Sequence, residues 1–202
     1  MKIHRDVAQG SPEWVKLRLG VLTASSADRI ITKAKLAPSE QQDAYLDELV
    51  AETVLGQPCD DAKGPWMTRG TELEGEARTV FGFVREPVEQ VGFISRDDGR
   101  VGCSPDGIVD GKFGAEFKCP SAVKHVGYLR RPADLVAAYR LQLQWSMWVT
   151  GWPWVIMSYC PGFSEVVVGV SPEPVVLAAF DRHVPDFLAK LDAAVAAVRG
   201  VG

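Results

Sequence analysis

Hydrophobic and polar positions follow two periods along this chain, and the change of period marks the elements. Near the start, Ser11-Pro12-Glu13 predicts a helix, with serine as N-cap, proline at the first helical position and an acid in the first turn. Trp14, Leu17 and Arg18 follow at helical spacing, and Gly20 ends the run. Thr23 or Ser25 can cap the next helix. Residues 39–55 pattern as an amphipathic helix, with Ser39 and Gln42 spaced for a capping box and Gly56 as the stop. Residues 57–68, with Pro58, Gly64 and Pro65, read as a loop. Arg69 to Phe81 reads as a further helix whose core stripe is Leu73, Ala77, Val80 and Phe81. Glu74 lies beside that stripe, where a carboxylate wants a partner.

The period then drops to two. Val88 to Ser95 alternates as one strand, Asp97-Asp98-Gly99 turns, and Val101 to Ser104 begins another. Two apolar runs flank Asp110-Gly111, a tight-turn signal that folds them into a hairpin. A helix expected from Asp134 to Thr150 is apolar almost all round and therefore buried, with Gln142 as its polar exception. Strands Val155 to Tyr159 and Val166 to Val170 join through Pro161-Gly162. An amphipathic helix from Glu173 to Val198 closes the chain. This order predicts an α/β fold, a central mixed β-sheet flanked by helices on both sides, in one domain spanning 1–202.

Composition narrows the picture. The 202 residues are 47% hydrophobic and 24% charged, ordinary for a globular protein with a sizeable core. No apolar run reaches membrane-spanning length, and the opening Met-Lys-Ile-His-Arg-Asp has no apolar signal region. Cys59, Cys103, Cys119 and Cys160 lack C-x-x-C spacing, so a reduced, cytoplasmic setting without a cysteine zinc site is expected. The net charge of −4 is unevenly spread. Residues 1–36 carry seven Lys/Arg against three Asp/Glu, residues 37–63 one against seven, and residues 112–140 six against two. Two basic segments flank an acidic one, which permits a local basic surface on an acidic protein.

The chemistry concentrates between Ser104 and Lys118. In strand geometry, side chains two apart share a face, so Glu116 and Lys118 project together while Phe117 turns to the core. The hairpin brings Asp106 beside them. Two carboxylates and an ammonium make a poor core but suit a divalent cation and a water. Oxygen ligands of this kind favour Mg²⁺ or Mn²⁺. The lysine can orient or help deprotonate a water, or offset charge in a phosphoryl transition state. The only histidines are His4, His125 and His183; with no H-x-x-x-H and no G-x-S-x-G, a zinc protease or serine hydrolase is disfavoured.

Four ordered stretches resemble the viral-recombinase (YqaJ-type) alkaline exonuclease family, the lambda exonuclease-like enzymes. They are Trp14 to Ser25; Gly70 to Arg78; Cys103-Ser104-Pro105-Asp106-Gly107 with Glu116-Phe117-Lys118-Cys119-Pro120; and Gln142 to Thr150. Phe180-Asp181 and Val184-Pro185-Asp186-Phe187 extend the likeness to the last helix. The resemblance implies a restriction-endonuclease-like, PD-(D/E)xK core and Mg²⁺-dependent 5′→3′ degradation of one strand of duplex DNA. It implies release of mononucleotides from a 5′-phosphorylated end, leaving a 3′ single strand for phage-type recombination. It makes Asp106, Glu116 and the Phe117 carbonyl metal ligands, Lys118 the catalytic lysine, and Glu74 a group on the metal side, directly or through water. Arg18, Ser25, Ser104 and Gln142 match positions gathered near the 5′ end. Lys35 and Met67 fall near positions that touch the duplex and wedge its end. A homotrimeric ring and a single-strand annealing partner are also implied. An endonuclease of the same fold, or a DNA-binding recombination module without catalysis, are the competing expectations.

Overall fold

A computed structural model describes residues 1–59 and 65–200, with side chains from 73 onward in the second segment. Strand β1 (Lys2–His4) leads to helix α1 (Pro12–Arg18), whose N-cap Ser11 accepts a hydrogen bond from the Trp14 amide. Strand β2 (Leu22–Thr23), a 3₁₀ turn (Ala24–Ser26) and the short α2 (Ala27–Ile30) follow. Neither Thr23 nor Ser25 caps a helix through its side chain; their hydroxyls lie 3.2 Å apart and bond each other instead. Helix α3 (Gln42–Leu55) ends on left-handed Gly56 as expected. The capping box does not form, because the Gln42 amide donates to the Ile30 carbonyl at 2.7 Å and so ties α3 to α2.

Helix α4 (Pro65–Val84) starts four residues before the expected Arg69, with proline in its first turn, where the missing N–H costs nothing. The expected strand from Val88 to Ser95 is two strands in two sheets: β3 (Val88–Glu89) and β4 (Phe93–Ser95). The break falls at Gly92, whose amide bonds the His4 carbonyl. A side chain there would come within 2.1 Å of the Val7 carbonyl oxygen, so only glycine admits the N-terminal segment.

Strands β5 (Val101–Cys103), β6 (Gly107–Val109) and β7 (Phe113–Lys118) follow, then α5 (Ala122–Arg130), α6 (Pro132–Ala138) and α7 (Arg140–Thr150). Helix α5 was not expected; Ser121 caps it by accepting from the Lys124 amide. The single helix expected from Asp134 breaks at Tyr139, which leaves helical geometry (φ −109°, ψ 16°) between α6 and α7. Strands β8 (Trp154–Ser158) and β9 (Val166–Val170) and helix α8 (Pro174–Arg199) complete the chain as expected.

Two hydrogen-bonded sheets replace the single expected one. The first has the order β1-β4-β5-β2, the second β3-β6-β7-β8-β9, and among the described residues β2–β5 and β7–β8 are the parallel pairs. The β6–β7 hairpin turns at Asp110 and Gly111, both with positive φ. The larger apolar core lies among α2, α3, α7, α8 and the sheets, around Trp145, Phe180 and Leu135. A smaller one, with Ala77, Phe81, Ala115, Phe117 and Met157, seals α4 onto the opposite face of the second sheet. Strand β7 therefore has an apolar face under α4 and a second face under α7.

Candidate active site

The second face of β7 carries the chemistry. Glu116 and Lys118 alternate with Phe117, as strand geometry requires, and Lys118 Nζ lies 2.6 Å from Glu116 Oε1. Gln142 on α7 donates to the same oxygen at 2.6 Å, which accounts for the polar residue on that buried helix. Asp106, just before β6, turns its Oδ2 onto the Phe117 amide. The N–H and C=O of one strand residue leave by the same edge, so the Phe117 carbonyl faces the Asp106 side of β7. From α4, Arg78 donates to the Asp106 carbonyl at 3.0 Å and to Glu74 Oε1 at 2.6 Å. Three sequence-distant carboxylates, Glu74, Asp106 and Glu116, thus converge around the end of one hairpin.

Their electrostatics are unbalanced. Burial raises the Asp106 pKa well above the ordinary aspartate value, and the charges of Glu116 and Glu74 raise it further against the pull of Lys118. Glu74 is raised as well, by burial first, opposed by Arg78 and reinforced by Glu116. Burial pulls Lys118 down, but Glu116 and Asp106 outweigh it, so the ammonium stays charged. Beside it, burial pushes the Cys119 thiol up to about 11.

The donor set fits a hard divalent cation. Each of the three carboxylates keeps one oxygen without a protein donor among the described residues, and their mutual repulsion is what a cation relieves. Among the described residues, no three His, Cys, Asp or Glu side chains are drawn into a ready ligand cage. Instead Glu116 leans on Lys118 and Gln142, and Glu74 on Arg78.

Arg18 bonds Ser104 and shares a cleft with Ser25. Arg18 is largely buried, stacks 4.3 Å from the Trp14 ring and donates to Ser104 Oγ at 2.9 Å. The Trp14 indole donates to the same hydroxyl at 3.1 Å. Glu48 and Glu52 line the same cleft, but Glu48 pairs with Arg29 and Glu52 accepts from the Gly20 amide; burial lowers the Arg18 pKa, and Glu52 opposes that only in part. Arg18 and Ser25 line one cleft of 280 Å³, with Trp14, Tyr45, Glu48 and Glu52. Ser25 and Gln142 line an adjoining cleft of 230 Å³, with Lys33 and Tyr139. Ser25 is thus the link between the Arg18 cleft and the Glu116 corner. Lys35 is exposed and lines neither cleft. Lys33 does line one, and its ammonium is 2.6 Å from the Ala138 carbonyl. The Met67 side chain lies outside the described residues.

Sequence reasoning missed Arg78 and Tyr139. Arg78 left a signal, because Glu74 and Arg78 stand at i and i+4 on a helix, the spacing of an ion pair. Tyr139, whose ring lies 4.7 Å from Lys118 Nζ, gave none, because the helix break that turns it inward is not written in the pattern.

A model of the YqaJ-like viral recombinase domain matches residues 13–153, which span all of these groups. The chain belongs to the YqaJ-like viral recombinase family. The fold is restriction-endonuclease-like. It is similar over 94% of this chain and 96% of the other to an alkaline exonuclease, LHK-Exo, from Laribacter hongkongensis, with 28% identity and a TM-score of 0.81. That enzyme is also solved in complex with dAMP, and the likeness is the same. A phage-related exonuclease from Haemophilus somnus 129PT shares the fold at 13% identity, with a TM-score of 0.65 over 90% of this chain and 96% of that one. No curated protein matches significantly. Family membership and this likeness support a DNA exonuclease. No helix among the described residues is long and apolar enough to cross a membrane.

Proposed function

We propose that this viral-recombinase family member is a Mg²⁺-dependent 5′→3′ exonuclease on double-stranded DNA. In this reading it removes mononucleotides from a 5′-phosphorylated end and leaves a 3′ single strand for recombination. The convergence of Asp106, Glu116 and Lys118 at the end of one hairpin carries the reading. Asp106, Glu116, the Phe117 carbonyl and Glu74 are the groups to hold Mg²⁺, or Mn²⁺ in its place. When bound, such an ion supplies Lewis acidity to a phosphodiester and lowers the pKa of water.

The chain's own residues do the rest. Gln142 and Lys118 fix the Glu116 carboxylate, and Arg78 fixes Glu74 and the Asp106 backbone. Lys118, a fixed charge with three donors, orients the attacking water and offsets negative charge as the P–O3′ bond breaks. The leaving 3′-oxygen belongs to the released nucleotide, and the remaining strand acquires a new 5′-phosphate. Arg18 offers that phosphate a planar fork in a cleft whose two carboxylates are engaged elsewhere, Glu48 with Arg29 and Glu52 with the Gly20 amide, and Ser25 and Ser104 supply hydroxyls.

Around this site the reading includes a homotrimeric ring, with basic segments 1–36 and 112–140 lining its channel, and handover of the 3′ strand to an annealing protein. A stable monomer in light scattering would remove the ring. The nuclease reading is tested with end-labelled linear duplex, 5′-phosphorylated or 5′-hydroxyl, against closed circular DNA, in Mg²⁺ and in chelator. Mononucleotides released from linear duplex only with Mg²⁺, and much faster from phosphorylated than from hydroxyl ends, support it. Nicking of closed circles would assign an endonuclease instead.

A further inference from the structure

One cluster next to the site has no role in the account so far. Lys124 stands in the first turn of α5, and its ammonium lies 5.6 Å from the Tyr139 ring and 5.9 Å from the Tyr128 ring. Lys118 shares the Tyr139 ring, at 4.7 Å. A cation in the first turn sits at the positive end of the helix dipole, and this turn contains no acid to offset it. Among the described residues no carboxylate pairs with Lys124. Beneath it, Tyr128 is only 4% exposed, and its hydroxyl has no hydrogen-bond partner in good geometry. The polar neighbours of that hydroxyl are the Lys124 ammonium and Tyr139. Tyr139 in turn lines the cleft that holds Ser25 and Gln142.

We propose that Lys124, with the hydroxyls of Tyr128 and Tyr139, binds a phosphate of the DNA strand being cut, at a subsite separate from the Arg18 cleft. Lysine brings three donors and no acceptor, and each tyrosine brings one O–H. A cluster that is rich in donors and lacks a carboxylate is completed by an anion. Because Lys118 and Lys124 share one aromatic ring, the phosphate held here neighbours the one being cleaved. Two phosphates gripped on different elements, α1 and α5, fix the direction of the strand through the site, which a single grip cannot do. The inference rests on the reading of DNA as substrate.

The test separates binding from cleavage. Anisotropy of a labelled, 5′-phosphorylated blunt duplex is measured in chelator across a salt series, for wild type and for Lys124→Gln, Lys124→Arg and Lys190→Gln. Lys124 is exposed, so its replacement leaves the fold intact. Lys124→Gln weakens binding by about fivefold and lowers the slope of log affinity against log salt by about one, the loss of one phosphate contact. Lys124→Arg keeps most of both, and Lys190→Gln, on α8, changes neither. Tyr128→Phe weakens binding by about twofold with little change in melting temperature, since the hydroxyl it removes makes no hydrogen bond in good geometry. Wild-type affinity and slope in Lys124→Gln would overturn the subsite, as would a Tyr128→Phe that loses stability and keeps affinity. Cleavage with Mg²⁺ is read in parallel. A lowered slope without any cleavage keeps the subsite and rejects the nuclease reading; normal cleavage with an unchanged slope does the reverse.

Discussion

The carboxylate corner around Asp106 has more acids than cations, whereas in the cleft around Arg18 the acids are engaged elsewhere and the guanidinium makes no ion pair among the described residues. The corner gathers three carboxylates on two cations, and burial disfavours the ionised forms of Asp106 and Glu74. The cleft gathers a guanidinium, an indole and hydroxyls, and of the two glutamates on its wall Glu48 pairs with Arg29 and Glu52 accepts from the Gly20 amide. Each is an incomplete ion pair at the scale of a site. A cation completes the first and an anion the second, and a phosphodiester chain bound with a divalent metal provides both. Ser25 and Gln142, which line the cleft between them, join the two halves.

Removing one ligand from the corner has the largest expected effect. Asp106→Ala or Glu116→Ala lowers the exonuclease rate by about 10³-fold or more, with circular dichroism unchanged. Lys118→Ala follows, with a loss of about 10²–10³-fold in rate and retained metal affinity, because its work lies in the transition state. Near-wild-type rates in Asp106→Ala would place the metal elsewhere.

The cleft gives a smaller, more selective effect. Arg18→Ala slows digestion of 5′-phosphorylated ends by about tenfold and leaves 5′-hydroxyl ends unchanged, erasing the preference. Equal slowing of both ends would make Arg18 a general duplex contact.

The smallest effect is on stability, and its sign distinguishes the two regions. A carboxylate whose folded pKa is raised contributes stability below its unfolded pKa and loses it as pH rises through the folded value. Asp106 and Glu74 are both raised, so metal-free protein loses stability from about pH 4 upward. Asp106→Asn keeps an acceptor for the Phe117 amide, removes the charge and flattens that decline in thermal melts. A decline unchanged by Asp106→Asn would show that its charge is not the source.

Much of the corner was legible in the sequence, because its rules are local. The alternation at Glu116, Phe117 and Lys118 and the Asp110-Gly111 turn fix which side chains share a face and where the hairpin folds. Gln142 stood out as a polar residue on an apolar helix, and the structure gives it Glu116 as partner. The rest depended on contacts between distant segments. The split of Val88 to Ser95 into two sheets is imposed by the N-terminal segment crossing at Gly92. The Tyr139 break between α6 and α7 places an aromatic ring over Lys118, and nothing in the helical pattern announces it. Lys33 in place of Lys35 at the cleft follows from the loop closed by the Ile31–Pro38 bridge, which no periodicity encodes.

The claim that the acid corner is completed by a divalent cation is tested most directly by calorimetric titration of Mn²⁺ into DNA-free protein, wild type beside Asp106→Ala. The account predicts saturable binding to wild type that is lost in the variant, while Arg18→Ala binds as wild type does. Equal Mn²⁺ affinity in wild type and Asp106→Ala would contradict it.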